Sequence, residues 1–214
     1  MMTTIDTAAF TRRLGLAHAG APLETARLCV VTLHGRGADA AGILPLGEAI
    51  GLGDVAYLAP EAAGGAWYPN RFMEPLEANE PFLGRALARV GQVLEALKES
   101  GFGPARTALM GFSQGACLAL ESVARRPGSV ASVAALSGGL IGPSVSGRLE
   151  TGRHDGLDVF LGCSLMDPHI PAVRVRESAA FLGERGADVT MRLYPEPGHT
   201  VNGDEIAAVR SLFS

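Results

Sequence analysis

A serine flanked by glycines is the residue in this sequence best placed to do chemistry. The segment GFSQG at 111–115 follows an apolar run at 107–110 and precedes a stretch with helical periodicity. A serine at such a strand-to-helix turn projects its hydroxyl above the sheet, and the glycines omit the Cβ atoms that would collide in so tight a bend. With 28 glycines in 214 residues the pattern also arises by chance. Its position between a strand and a helix is therefore what indicates Ser113 as a nucleophile.

A serine hydroxyl needs a base to take its proton and an acid to orient that base. His199 fits the base, because it lies in a loop beyond the predicted strand at 189–193. Asp167 fits the acid, because it follows the predicted strand at 158–161. The chain order serine, aspartate, histidine is that of α/β-hydrolase triads and not that of chymotrypsin or subtilisin. Taken singly, Asp167 also fits a turn or cap residue, and His199 a solvent-exposed loop residue.

A glycine-rich turn, LHGRG at 33–37, follows the first strongly apolar strand. Acyl transfer places negative charge on a carbonyl oxygen, which two backbone N–H groups must stabilise. In hydrolases of this order, one donor comes from the loop after this strand and one from the residue after the serine. We therefore predict the N–H groups of Arg36 and Gln114 as the oxyanion hole, with a simple chain reversal as the alternative. His34 is interpreted as a structural residue of the turn.

A long irregular segment at 59–81 is the candidate binding wall, since loops of this length often act as lids or binding surfaces. An apolar wall of this kind suits an acyl chain or an aromatic ring, although the same side chains could instead hold the loop to the body. The predicted substrate-binding residues in it are Trp67, Tyr68, Phe72 and Met73.

Other polar side chains near these motifs have no settled role. Arg71 could meet an anionic group of the substrate or pair with Glu74. His169 is too close along the chain to Asp167 to be its partner but could line the entrance, and Cys163 lies near the same rim. His18 and His154 are interpreted as surface residues because they occur in polar or irregular stretches.

Alternating strands and helices must position these residues. Apolar runs without alternation, typical of strands buried on both faces, occur at 27–33, 55–59, 107–110, 130–136, 158–161 and 189–193. Helix-like segments lie between them at 40–50, 81–98, 115–125, 172–184 and 203–212. This alternation predicts an α/β fold with a mostly parallel sheet and helices on both faces. Sites in such sheets form beyond the carboxyl ends of the strands, where every residue proposed above lies.

Composition excludes several classes of function. Lys and Arg number 18 against 22 Asp and Glu, giving a net charge of −4 without a basic block, so no nucleic-acid partner is expected. Neither HExxH nor CxxC spacing occurs, so we expect no metal and no cofactor. The odd set Cys29, Cys117 and Cys163 in apolar surroundings suggests reduced thiols of a cytoplasmic protein. The N-terminus lacks a signal-peptide pattern and no apolar run is long enough for a membrane span.

Four segments in order, LHGRG, GFSQG, MDPHIP (166–171) and PGHT (197–200), resemble the phospholipase/carboxylesterase family of small α/β hydrolases, which includes the acyl-protein thioesterases. The resemblance implies that residues 1–214 form a single α/β-hydrolase domain without a large cap domain. It places Ser113, Asp167 and His199 at the triad positions, and Arg36 with Gln114 at the oxyanion positions. Ala116 and Ser164 stand where the family often has glycine, so no subfamily is assigned.

Together these observations predict a serine hydrolase that cleaves carboxylic esters or thioesters of small to medium acyl or aromatic substrates through an acyl-enzyme. The alternatives are a small-molecule binding module with vestigial activity, and a lactone or carbon–carbon-bond hydrolase of aromatic degradation. The sequence leaves open the natural substrate, the acyl chain length, the preference for ester or thioester, and whether the chain forms a homodimer.

Overall fold

A computed structural model describes residues 5–148 and 152–214. Its centre is a seven-stranded sheet with the strand order β1-β3-β2-β4-β5-β6-β7. The strands are β1 Leu16–Gly20, β2 Leu28–Leu33, β3 Val55–Pro60, β4 Thr107–Phe112, β5 Ser132–Leu136, β6 Asp158–Ser164 and β7 Asp188–Tyr194. The helices are α1 Thr7–Leu14, α2 Ala40–Ile50, α3 Phe82–Glu99, α4 Gln114–Arg125, α5 Ala172–Glu184 and α6 Gly203–Leu212, with short 3-10 turns at Ala63–Gly65, Leu76–Asn79 and Pro104–Arg106.

The sheet is parallel from β3 to β7, and β1 pairs antiparallel with β3 at one edge. Every residue of β2, β3 and β5 is buried, which explains why these strands have continuous apolar sequences. One hydrophobic cluster packs α1, α3, α4 and α5 against the sheet, and a second packs α2 and α6 against the opposite face. This arrangement confirms the predicted mostly parallel sheet with helices on both faces.

Two elements at the start of the chain differ from the sequence interpretation, which predicted neither α1 nor β1. The β1 sequence LAHAG is short, is only half-buried and has no clear alternation, so it resembles a loop. Pairing with β3, from Leu16 opposite Pro60 to Gly20 opposite Ala56, is what makes it a strand. The antiparallel edge is therefore a tertiary effect rather than a local one.

The carboxyl ends of the parallel strands all lie at the same edge of the sheet. The turn after β2, the turn after β4 and the loops after β6 and β7 all follow such ends. Within the described part of the chain, no helix is long and apolar enough to cross a membrane.

Candidate active site

The turn between β4 and α4 holds Ser113 in an unusual backbone conformation, with φ of 55° and ψ of −119°. Glycine is required on both sides of Ser113 because a side chain at either position would collide with neighbouring backbone. A Cβ on Gly111 would lie 2.3 Å from the Gly115 carbonyl oxygen, and a Cβ on Gly115 would lie 2.0 Å from the Leu33 carbonyl oxygen. The N–H of Ser113 donates to the Leu136 carbonyl at 2.9 Å, which ties the turn to β5. Such a strained residue persists because its surroundings fix it, and strain of this kind is common at functional sites.

The structure brings the three predicted triad residues together. His199 Nε2 lies 2.8 Å from Ser113 Oγ, and His199 Nδ1 lies 2.7 Å from Asp167 Oδ2. These distances fit a neutral imidazole whose Nδ1–H donates to the carboxylate and whose Nε2 accepts from the serine hydroxyl. The hydroxyl, imidazole and carboxylate therefore form one hydrogen-bonded relay.

The side chain of Asp167 is fully buried, and its hydrogen bonds favour the ionised carboxylate. Its second oxygen, Oδ1, accepts the backbone N–H groups of His169 at 2.8 Å and Ile170 at 3.0 Å. Burial alone would raise the pKa of Asp167, but the hydrogen bonds from His199 and from these two N–H groups outweigh it and lower the pKa. Asp167 thus remains a carboxylate that can orient the imidazole.

The loop that carries His199 is fixed at its far end by the start of α6. The Asn202 side chain accepts the Glu205 N–H, and the Glu205 side chain accepts the Asn202 N–H, a reciprocal cap. The ring of Phe112 lies 4.9 Å from the ring of His199, and the ring of His169 lies edge-on to it at the same distance. The imidazole is therefore held on two sides as well as at both nitrogens.

The two backbone N–H groups predicted to form the oxyanion hole belong to Arg36 and Gln114. Gln114 is the first residue of α4, so its N–H has no acceptor within the helix. Gly35 packs against the serine, since a Cβ there would lie 3.4 Å from Ser113 Cβ, and this brings the Arg36 turn to the site. Within residues 5–148 and 152–214, neither the Arg36 N–H nor the Gln114 N–H donates to an acceptor. Both donors are available for an oxyanion, and their role as the hole stays a prediction.

His34 and Trp67 form a buttress beneath the 33–37 turn. His34 is fully buried, with Nδ1 at 2.8 Å from the Gly35 carbonyl and Nε2 accepting the Ala62 N–H at 3.1 Å. The Trp67 indole N–H donates to the His34 carbonyl at 2.9 Å, and the two rings lie 5.0 Å apart. His34 is thus a structural residue of the turn. Trp67, which the sequence analysis expected in the binding wall, instead packs against His34 and supports the 33–37 turn.

A cavity of about 590 Å³ opens in front of the serine. Of the predicted binding residues, Tyr68 and Phe72 line it, whereas Trp67 and Met73 do not. Met73 has 38% of its surface exposed and is not among the residues that line the cavity. Arg36, Arg71, Glu74, Cys117, His169 and Ile170 also line the cavity, and sequence reasoning had not assigned Cys117 or Ile170 to it.

One histidine behaves differently from its sequence interpretation. His154 is buried, with 1% exposure, because the 152–158 segment folds back on the Arg185 backbone. It was expected at the surface, and that interpretation is wrong. Cys163 is buried with its sulfur 3.7 Å from Asp167 Oδ2, and burial together with the charge of Asp167 raises its pKa to about 12. Its S–H therefore remains a weak donor to the acid.

No set of three or more His, Cys, Asp or Glu side chains in the described ranges is grouped so that it could hold a metal ion.

The sequence and fold are similar to those of known esterases. The pattern of the family described as Phospholipase/Carboxylesterase matches residues 19–214. A phospholipase/carboxylesterase from Dyadobacter fermentans DSM 18053 is 36% identical, with a TM-score of 0.87 over 100% of this chain and 98% of that one. The Bacillus cereus carboxylesterase shares the fold, with a TM-score of 0.74 at 20% identity over 98% of each chain.

Esterase YpfH of Escherichia coli (strain K12) is 32% identical over 105 residues, which span 49% of this chain and 43% of YpfH. The match therefore covers less than half of that esterase. The α/β-hydrolase architecture and the resemblance seen in the four sequence segments are both confirmed by these similarities. The chain belongs to the phospholipase/carboxylesterase family.

Proposed function

We propose that this protein is a serine hydrolase that cleaves carboxylic esters or thioesters through an acyl-enzyme, without a cofactor. The observation that carries the proposal is the relay from Ser113 Oγ through His199 to Asp167, with distances of 2.8 Å and 2.7 Å. Membership of a family of esterases supports the same reaction class.

In the acylation step, His199 Nε2 takes the hydroxyl proton as Ser113 Oγ forms a bond to the substrate carbonyl carbon. Asp167 holds the imidazole in its tautomer and stabilises the imidazolium that results. The oxygen of the tetrahedral intermediate gains negative charge and accepts the N–H groups of Arg36 and Gln114. The intermediate collapses, the bond to the alkoxide or thiolate breaks, and the leaving group receives the proton from His199.

In the deacylation step, the neutral His199 takes a proton from water as the water oxygen bonds to the acyl carbon. The second tetrahedral intermediate uses the same two N–H donors. Its collapse breaks the bond to Ser113 Oγ, which regains a proton from the imidazolium, and the carboxylic acid leaves. The enzyme returns to its starting protonation state.

The cavity supports small to medium substrates. Its volume of about 590 Å³ is within the range of ordinary ligand sites. The Phe72 and Ile170 side chains supply an apolar wall beside Ser113, which suits an acyl chain or an aromatic ring. Tyr68 contributes to the same wall.

We further infer a cytoplasmic location and a small-molecule ester or thioester as the partner. The three cysteines are all free and buried, which fits a reducing compartment. A homodimer, the absence of a nucleic-acid partner and the single-domain organisation of residues 1–214 stay predictions.

A fluorophosphonate probe tests the nucleophile. The native protein is expected to gain one adduct, and Ser113→Ala to gain none and to lose hydrolysis of p-nitrophenyl esters. Ser211→Ala is the matched control, because Ser211 is an exposed serine on α6. Equal labelling of the native protein and Ser113→Ala would rule out the assignment. Saturable ligand binding without turnover of esters or thioesters would favour a binding module.

A further inference from the structure

Arg71 lies on the wall of the cavity that contains Ser113. It is exposed and lines the same 590 Å³ cavity as Ser113 and His199. In the described ranges its guanidinium makes no ion pair and no hydrogen bond. Most arginines of this chain are instead engaged, as Arg27 is with Asp54. An uncommitted guanidinium beside a reacting centre is a group available for substrate.

The backbone that carries Arg71 is held firmly, although its side chain is not. The Arg71 carbonyl accepts from the fully buried Asn79 side chain at 3.2 Å and from the Glu74 N–H at 3.2 Å. The preceding Asn70 N–H donates to the Asn79 side-chain oxygen at 2.9 Å. The Arg71 side chain therefore extends from a fixed point of the rim, so that its reach toward the cavity is defined.

A second positive charge is fastened to the same rim. The Arg36 guanidinium donates to the Pro69 carbonyl at 2.8 Å and to the Asn70 carbonyl at 2.6 Å. These are neutral acceptors, so the Arg36 charge is not cancelled. The only acidic residue among those lining the cavity in the described ranges is Glu74, and it makes no ion pair with Arg71.

The rim therefore has an excess of positive charge on a protein whose formal net charge is −4. Overall charge would repel an anion, so attraction must be local, as it is when one sign of charge lines a cleft. A guanidinium presents paired donors that match a carboxylate.

Resting on the proposed hydrolase function, we propose that Arg71 is a specificity-determining residue that binds a carboxylate on the substrate, so that esters or thioesters bearing a second, anionic carboxyl group are preferred. Arg36 adds to the attraction and Glu74 opposes it. The neutral wall of Phe72 and Ile170 would contact the part of the substrate between the scissile carbonyl and that carboxylate.

Matched substrate pairs test the proposal. Mono-p-nitrophenyl glutarate and p-nitrophenyl pentanoate differ by a carboxylate in place of a methyl group at the end of the acyl chain. A 3-carboxy-4-nitrophenyl ester of pentanoate carries the charge on the leaving group instead. The measured quantity is the ratio of kcat/KM for each anionic substrate to that for the neutral one.

We expect at least one anionic ratio to fall by about fivefold or more in Arg71→Gln and further in Arg71→Glu, and to rise in Glu74→Gln. Added salt should reduce the same ratio in the native protein, because screening weakens an exposed attraction. If the glutarate ratio responds, the preferred carboxylate lies on the acyl chain; if the 3-carboxy-4-nitrophenyl ratio responds, it lies on the leaving group. Arg12→Gln is the matched control, an exposed arginine on α1 that is not part of the cavity wall.

Ratios that are equal in the native protein and in Arg71→Gln for both anionic substrates would overturn the proposal while leaving the hydrolase function intact. Failure of the native protein to hydrolyse any of the three esters would overturn the hydrolase function and this inference together. Thermal unfolding of each variant checks that the fold is retained, as expected for a change at an exposed side chain.

Discussion

Asp167 divides its two carboxylate oxygens between two tasks. Oδ2 receives the Nδ1–H of His199, and Oδ1 receives the N–H groups of His169 and Ile170. The two backbone hydrogen bonds fix the orientation of the carboxylate, and the hydrogen bond from the imidazole depends on that orientation. The carboxylate therefore arrives at the histidine already oriented, which is what a relay over short distances requires.

Asp167→Asn tests this division of roles. The amide can keep the two backbone N–H bonds through its oxygen, but its NH₂ then faces His199 and forces the wrong tautomer. We expect kcat for a p-nitrophenyl ester to fall by about 10³- to 10⁴-fold with the fold preserved. Asp158→Asn, at the opposite end of β6, is the control and should retain full activity. An Asp167→Asn enzyme with more than a tenth of native kcat would contradict the role.

Glu205 is a second buried carboxyl near the site, and its burial has an energetic cost. It has 1% exposure, one oxygen accepts the Asn202 N–H at 2.8 Å, and the other has no partner in the described ranges. Burial raises the pKa of Glu205 to about 6, with further contributions from the charges of Asp204 and Asp167, against the lowering effect of the Asn202 bond. As the pH rises, Glu205 therefore loses its proton at a lower pH in the unfolded state than in the folded state.

Because the folded pKa exceeds the unfolded value of 4.5, the contribution of Glu205 to stability is greatest in acid and is lost as the pH rises through about 6. The loss amounts to about 2 kcal/mol for a shift of this size. We expect Glu205→Gln to remove this pH dependence, so the difference in unfolding free energy between variant and native protein should change between pH 5 and pH 7. Urea unfolding across that range measures it, with Glu48→Gln, an exposed site on α2, as the control. A constant difference would contradict the expectation.

At the scale of elements, the strand-to-helix turn around Ser113 is set by close packing of β4, α4 and the end of β2. Gly115 lies against the Leu33 carbonyl, so the first turn of α4 is pressed onto the last residue of β2. The same contact brings the 33–37 turn beside the serine. The close contact at Gly115 thus helps to set the spacing between Ser113, the proposed nucleophile, and the proposed oxyanion donor at Arg36.

Gly115→Ala is expected to destabilise the protein by at least about 3 kcal/mol, because backbone must move to admit a Cβ that would lie 2.0 Å from the Leu33 oxygen. Urea denaturation followed by circular dichroism measures the loss. Gly53→Ala is the matched control, since a Cβ there meets nothing within 4 Å, and it should change stability by less than about 1 kcal/mol. Similar midpoints for the two variants would refute the packing argument.

Sequence patterns predicted the central elements well because their signals are local. The helices at 40–50, 172–184 and 203–212 have the predicted bounds, and β2 and β3 follow from continuous apolar runs. The relay residues were also predictable, since each lies in the turn or loop that follows the carboxyl end of a parallel strand. Nothing local marks β1, which exists through pairing with β3.

The binding wall was less predictable, for a physical reason. An aromatic side chain in a long loop can face a ligand or a core, and only tertiary partners decide between them. Trp67 and Tyr68 are adjacent in the sequence but have different roles in the structure. The Trp67 indole N–H donates to the His34 carbonyl, whereas Tyr68 lines the cavity. His154 shows the same limit, because a polar neighbourhood in sequence did not indicate its burial.

At the scale of the whole molecule, two hydrophobic clusters pack helices against the two faces of the sheet, and the candidate site lies at the carboxyl-end edge. Cys29 in β2, Cys117 in α4 and Cys163 in β6 lie within the larger cluster. Burial raises the pKa of each thiol, to about 12 for Cys117 and Cys163, so none is a thiolate at neutral pH. Because the thiols are buried, the rate at which each reacts with a thiol reagent measures how readily the surrounding part of the interior opens.

In native buffer all three thiols should react with a disulfide reagent such as DTNB only through opening of the fold, at least about 10³-fold more slowly than in concentrated guanidinium chloride. Cys117 is expected to react first, since it lines the cavity, and Cys29 last, since it lies in a fully buried strand between β3 and β4. Absorbance of the released thiolate gives the rates and mass spectrometry the order. A cysteine placed at the exposed Ser211 position by Ser211→Cys supplies the control and should react at once. If Cys29 reacted as fast as that control, β2 could not be a protected inner strand of the sheet, and the positioning of Ser113 against it through Gly115 and Leu33 would lose its support.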